Sequence, residues 1–115
     1  MRHDMFKDQV ILVTGGGGGL GRSHALLFAR LGAKVLVNDP GTALDGIGTA
    51  SRPAEETVEM IRAMGGIALA DYHGVETEAG AQAMVAAAIE GLGGIHAVVN
   101  NAGILRDCSF RKQSE

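Results

Sequence analysis

Short apolar runs alternate along the chain with longer stretches whose apolar positions recur at helical spacing. Val10-Ile11-Leu12-Val13 is a continuous run, rich in β-branched residues, that stops at Thr14 and a series of glycines. Leu20 to Leu31 reads as a helix with Gly32 at its C-terminal cap. Lys34-Val35-Leu36-Val37-Asn38 is a second apolar run, and Pro40 to Arg52 reads as a loop of glycine and small residues. Pro53 suits the first position of a helix. Ala54, Val58 and Ile61 then recur at i, i+4 and i+7 until Gly65-Gly66. Ile67 to Ala70 is a third, weaker run, and Thr77 to Glu90 reads as a helix with Ala81, Val85, Ala88 and Ile89 on one face. Gly91 and Gly93-Gly94 are expected to close that helix, and Ile95 to Val99 forms a fourth run before Asn100-Asn101.

The order is therefore β-α-β-α-β-α-β. Continuous rather than alternating apolar strands imply burial on both faces. Helices between strands imply parallel pairing with right-handed crossovers. The expected fold class is α/β, a doubly wound parallel sheet, in one domain over residues 1–115 without internal repeat or linker.

Composition narrows the picture. Hydrophobic residues make up 46% of the 115 positions and aromatics 3%, so the core must come from Val, Ile, Leu, Ala and Met. The 18 glycines have no period, which excludes a collagen helix. The net charge of -3 leaves no basic patch, so no nucleic-acid partner is expected. Cys108 is the single cysteine, which rules out an internal disulfide and fits a reducing compartment. Residues 1–5 open no apolar leader, and no run approaches the ~20 apolar residues of a membrane span. No membrane partner and a cytoplasmic location are expected; the C-terminal Gln113-Ser114-Glu115 is not a peroxisomal tripeptide. His3, His24, His73 and His96 are scattered, so no metal site is expected.

The chemistry is concentrated in Thr14-Gly15-Gly16-Gly17-Gly18-Gly19-Leu20-Gly21, between the first strand and the first helix. Two dinucleotide fingerprints fit. Gly16, Gly18 and Gly21 satisfy G-x-G-x-x-G, whereas Gly15, Gly19 and Gly21 satisfy T-G-x-x-x-G-x-G behind Thr14. Glycine suits a tight strand-to-helix turn that lets the backbone approach a pyrophosphate, which the helix N-terminus then holds through free N–H groups. A rival phosphate loop, Gly16 to Ser23, carries Arg22 where a lysine is required, and a planar guanidinium substitutes poorly for a compact ammonium. Asp39 lies eighteen residues after Gly21, at the end of the second strand. A carboxylate there can bind both ribose hydroxyls of NAD and repel the 2′-phosphate of NADP. The nearest later basic residue is Arg52, too distant to invert that preference. Asp39-Pro40-Gly41 also has a plain reading as a turn.

Thr14, Gly15, Gly19 and Gly21, together with Asp39 and Asn100-Asn101-Ala102-Gly103, resemble the short-chain dehydrogenase/reductase family over roughly residues 6–111. The resemblance implies a Rossmann-type fold, of which this is the N-terminal β-α-β-α-β-α-β portion, and NAD as cofactor. It implies cofactor contacts at Thr14, Gly15, Gly19, Leu20, Gly21, Asp39, His73, Gly74, Asn100, Asn101, Ala102 and Gly103. Val35 to Asp39 with its following loop, and Asn100 to Asp107, are similar to one branch, the D-3-hydroxyacyl-CoA dehydrogenase domain of the peroxisomal multifunctional β-oxidation enzyme and its bacterial relatives. That narrower resemblance implies a small-molecule substrate of the acyl-CoA class, and a peroxisomal setting for a longer eukaryotic chain.

Two features depart from the family pattern. The family's aspartate after the third strand, which meets the adenine amino group, is replaced by His73, with Asp71 as the nearest substitute in a shifted register. The family's catalytic serine and Tyr-x-x-x-Lys pair cannot be placed: the single tyrosine is Tyr72, with Glu76 four residues on. The expectation is a fragment without turnover of its own. The alternative is a stand-alone nucleotide-binding or interaction module. The family's sheet has further strands beyond the fourth, so Ile95 to Val99 is expected to be an apolar edge prone to self-association.

Overall fold

The computed structural model describes residues 5–40, 52–75 and 77–101. In chain order the elements are β1 (Val10–Thr14), α1 (Gly19–Arg30), β2 (Lys34–Asn38), α2 (Arg52–Ala63), β3 (Ile67–Asp71), α3 (Glu78–Leu92) and β4 (Ala97–Asn100). The strands pair in parallel in the order β3-β2-β1-β4. The chain therefore steps outward from β1 to β3 and then returns across the sheet to lay β4 on the other side of β1.

Alternate side chains of β1 serve opposite faces, as strand geometry requires. Ile11 and Val13, with Val35 and Val37, meet Ala25 and Ala29 of α1 and Ala54, Val58 and Ile61 of α2. Val10 and Leu12, with Leu36, meet Met84, Ala88 and Leu92 of α3 on the other face. All five residues of β1 are buried, which accounts for their uninterrupted apolar character. Each large aliphatic side chain buried here contributes roughly 1.5–3 kcal/mol. The result is the expected doubly wound, Rossmann-like arrangement. Most of the loop read between Pro40 and Arg52 falls on residues 41–51, outside the described residues.

Two boundaries differ from the sequence reading. The third helix continues past Glu90 to Leu92, with Gly91 inside it. A Cβ on Gly91 would strike Leu69 Cδ1, so this glycine allows close packing on β3 and does not end the helix. Gly93 ends it, in the left-handed region at φ 93°. At the other end Thr77 caps α3, its hydroxyl accepting from Gly80 N at 3.0 Å.

The fourth strand begins at Ala97 and not at Ile95. The cause is His96. Val10 N donates to His96 Nδ1 at 2.8 Å, and His96 N donates to Val10 O at 2.8 Å. A ring nitrogen thus takes the place of a backbone carbonyl, and ladder pairing starts one residue later at Ile11 and Ala97. The Nδ1 position must be the acceptor, so the neutral ring carries its proton on Nε2. Replacing His96 with alanine leaves the Val10 N–H, on a residue 1% exposed, without its partner. The expected cost is about 1–3 kcal/mol of folding stability, read as a lower urea midpoint at unchanged slope. An unshifted midpoint would show that the ring bond contributes nothing.

Candidate functional site

The four strands finish on one edge of the sheet, at Thr14, Asn38, Asp71 and Asn100. Because β2 and β4 flank β1 on opposite sides, and the helices leading to them lie on opposite faces, β1 and β4 border a crevice at their C-terminal ends. This topological switch point is where open α/β sheets bind their ligands.

The glycine series crosses that crevice, and its geometry separates the two fingerprints. Gly15 has φ 65° and Gly19 has φ 54°, both in the left-handed region that favours glycine. A Cβ on Gly21 would drive into the carbonyl of Gly15. Gly18, by contrast, is extended at φ -165°, and a Cβ there would meet nothing. Backbone conformation and contact thus select Gly15, Gly19 and Gly21. Gly16 and Gly17 are also confined, the first against Val37 and Val13 and the second between Asp39 and Pro53.

The first turn of α1 has neither a side-chain cap nor an acidic residue. Its leading N–H groups therefore have no capping side chain among the described residues, and the positive end of the helix faces the crevice. An anion fits there. Leu20 stands beside this turn with 69% of its surface exposed.

Thr14 joins the two strands at the crevice. Its hydroxyl lies 3.0 Å from Asn100 Oδ1 and 3.4 Å from Val99 O, and accepts from Asn101 N at 3.0 Å. Asn101 Nδ2 is buried with no partner among the described residues, an unmatched donor at the crevice wall. Ala102 and Gly103 lie outside the described residues.

On the other side of β1, Asp39 Oδ2 accepts from Gly17 N at 2.9 Å, and Asp39 N donates to Asp71 O at 2.9 Å. The carboxylate expected to read a ribose is therefore already seated against the glycine loop. Beyond it, Asp71 is 4% exposed and turned inward. One of its oxygens accepts from Asn38 Nδ2 at 2.7 Å, and the other lies 2.7 Å from His73 Nδ1. Asn38 Nδ2 also donates to His73 O at 2.9 Å. Asp71 is committed inside the protein, which leaves the half-exposed His73 ring as the polar group at this end of the crevice. Gly74 follows; its carbonyl approaches so near to α3 that a Cβ on Gly80 would collide with it.

Two sequence features find other employment. Arg22, the residue in the rival phosphate loop, turns its guanidinium to α2, where Nε donates to Thr57 Oγ1 at 2.8 Å. Tyr72 donates to Glu55 Oε2 at 2.8 Å and lines a shallow cavity of about 280 Å³ with Glu59 and Arg62, on the outer side of α2 and β3. The sequence reading passed over Asn38 and Thr57. Both are fully buried polar residues, Asn38 at the end of an apolar run and Thr57 beside Val58 on the apolar face of its helix, and that placement was the available signal.

The sequence profile of the short chain dehydrogenase family matches residues 9–115. A short-chain type dehydrogenase/reductase of Mycobacterium tuberculosis is 53% identical over 108 residues, which are 94% of this chain and 38% of that protein. The peroxisomal multifunctional enzyme type 2 of Mus musculus is 50% identical over 110 residues, 96% of this chain and 15% of that one. Among solved structures, a short chain dehydrogenase from Mycobacterium avium superposes with a TM-score of 0.76 at 46% identity, covering 88% of this chain and 35% of its own. A 7α-hydroxysteroid dehydrogenase complexed with NADH superposes with a TM-score of 0.71 at 30% identity, covering 86% of this chain and 34% of its own.

Proposed function

The chain belongs to the short-chain dehydrogenase family, and on that footing we propose that it forms the cofactor half of an NAD-dependent dehydrogenase acting on a secondary alcohol, foremost a 3-hydroxyacyl-CoA. One observation carries this reading: an uncapped helix start sits behind a turn whose φ values favour glycine, with Asp39 seated against it. Thr14, Gly15, Gly19, Leu20 and Gly21 would surround the pyrophosphate and the ring beyond it. Asp39 would take the adenosine ribose, and His73 and Gly74 the adenine edge. Asn100 and Asn101, with Ala102 and Gly103, would border the adenosine and brace β1. NAD, when bound, supplies the hydride acceptor; the solved NADH complex of a related dehydrogenase supports this choice. The 3-hydroxyacyl-CoA follows from the branch resemblance and the likeness to a peroxisomal multifunctional enzyme. The same likeness supports a peroxisomal setting for a longer eukaryotic chain.

No catalytic residue is assigned within the 115 residues, since Tyr72 is engaged with Glu55 and has no lysine four positions on. The isolated chain is expected to bind cofactor without turnover and to self-associate through β4, a monomeric sedimentation profile at high concentration counting against the latter. The deciding experiment is a fluorescence titration with NADH and NADPH, which is clean because the chain has no tryptophan. Saturable binding that favours NADH is expected. Binding of neither cofactor overturns the reading, and NAD reduction by the chain with a hydroxyacyl-CoA overturns its inactivity.

A further inference from the structure

We propose that Thr57 and Arg22 are positioning residues for the dinucleotide site, clamping the start of α2 onto the backbone of Gly16 and Gly17. This role rests on the dinucleotide reading of the loop. Neither residue belongs to the glycine fingerprint, and Thr57 lies on a different helix.

Thr57 is fully buried, at 0% exposure. Its hydroxyl has one proton and two acceptors within reach, Gly16 O at 2.8 Å and Pro53 O at 3.3 Å. The shorter contact takes the proton. The hydroxyl oxygen in turn accepts from Arg22 Nε at 2.8 Å. Arg22 Nη2 donates to Gly17 O at 2.6 Å, with Pro53 O at 3.3 Å and Glu56 Oε1 at 3.1 Å also within reach. Two successive loop carbonyls are thus held from α1 and α2 together.

The peptide between Gly16 and Gly17 is gripped at both ends. Its carbonyl receives the Thr57 proton, and its N–H donates to Asp39 Oδ2 at 2.9 Å. Turning that peptide breaks both bonds together, so Thr57 fixes the partner against which Asp39 is seated. The need for such a device follows from the sequence. Five consecutive glycines have no side chains to restrain them and lose the most conformational freedom on ordering. A loop ordered beforehand spares the ligand that cost. Lysine could not replace Arg22, because Nε and Nη2 serve two different acceptors in a fixed planar fork.

The test compares Thr57→Val, Thr57→Ser and Arg22→Lys with the parent chain in titrations with NADH and NADPH, and in amide exchange of Gly17 without ligand. Valine keeps the volume and strands Gly16 O and Arg22 Nε. About a tenfold rise in the NADH Kd is expected, with faster Gly17 exchange and a reduced preference for NADH over NADPH. Serine restores all three to near parent values, and Arg22→Lys behaves as the valine variant. A purely structural role would weaken both cofactors equally and leave their ratio unmoved, which overturns the proposal. An unchanged NADH Kd with unchanged Gly17 exchange also overturns it. If the parent chain binds neither cofactor, the dinucleotide reading fails, and Gly17 exchange in Thr57→Val still decides the clamp: faster supports it, unchanged removes it.

Discussion

Alanine at Gly21 is expected to abolish useful dinucleotide binding, raising the NADH Kd about a hundredfold. The added Cβ meets the carbonyl oxygen and carbon of Gly15, and both are backbone atoms with no rotamer to escape into. Either α1 withdraws from β1 or the Gly15 turn opens, and each displaces the first-turn N–H groups from the phosphates. Stability changes less than affinity. Overpacking costs ~1–3 kcal/mol, and alanine recovers ~1 kcal/mol over glycine within a helix. Gly18→Ala is the matched control, since its Cβ meets nothing and its backbone is extended. NADH titration of both variants checks the assignment. Equal affinities would show that the crevice is not where the cofactor binds.

The second large effect is expected at Asp39. Asn at this position keeps an oxygen to accept from Gly17 N but loses the charge. Hydrogen bonds to a charged group contribute about 1.5–3 kcal/mol, so NADH should bind about ten- to a hundredfold more weakly. NADPH should gain, because the repulsion of its 2′-phosphate disappears. The ratio of the two dissociation constants is the informative quantity. A ratio equal to the parent's would mean that Asp39 serves only as the partner of Gly17.

Most of the architecture was legible because the central strands β1 and β2 are buried on both faces. β2 begins and ends where its apolar run does, from Lys34 to Asn38. The misplaced boundaries have local physical causes. Gly91 and Gly93 look alike in the sequence, but one admits Leu69 beside a continuing helix and the other turns the chain into the left-handed region. The start of β4 shifted because a histidine ring supplied the acceptor that a carbonyl normally provides. The site was legible as a stretch but not in detail. Spacing alone left Gly15, Gly16, Gly18 and Gly19 interchangeable, and only φ values and Cβ clearances separated them. Arg22 was visible as a charge near phosphates, whereas its acceptors besides Gly17 O come from a helix thirty or more positions away. The inward turn of Asp71 likewise depends on Asn38 across the sheet, a contact that no local pattern encodes.

The return of the chain to the far side of β1 has a consequence in time. β1 meets β2 after a separation of 24 positions, Val10 to Lys34, but meets β4 only after 86, Ile11 to Ala97. During synthesis from the N-terminus, β1, β2 and β3 are available before β4 exists, and long-range pairings are the slow ones to close. The crevice has one wall until β4 docks, so the cofactor cannot bind an earlier intermediate in its native pose. NADH added to the folded chain should then slow the local opening of β4, because ligand stabilises only those states in which both walls are present.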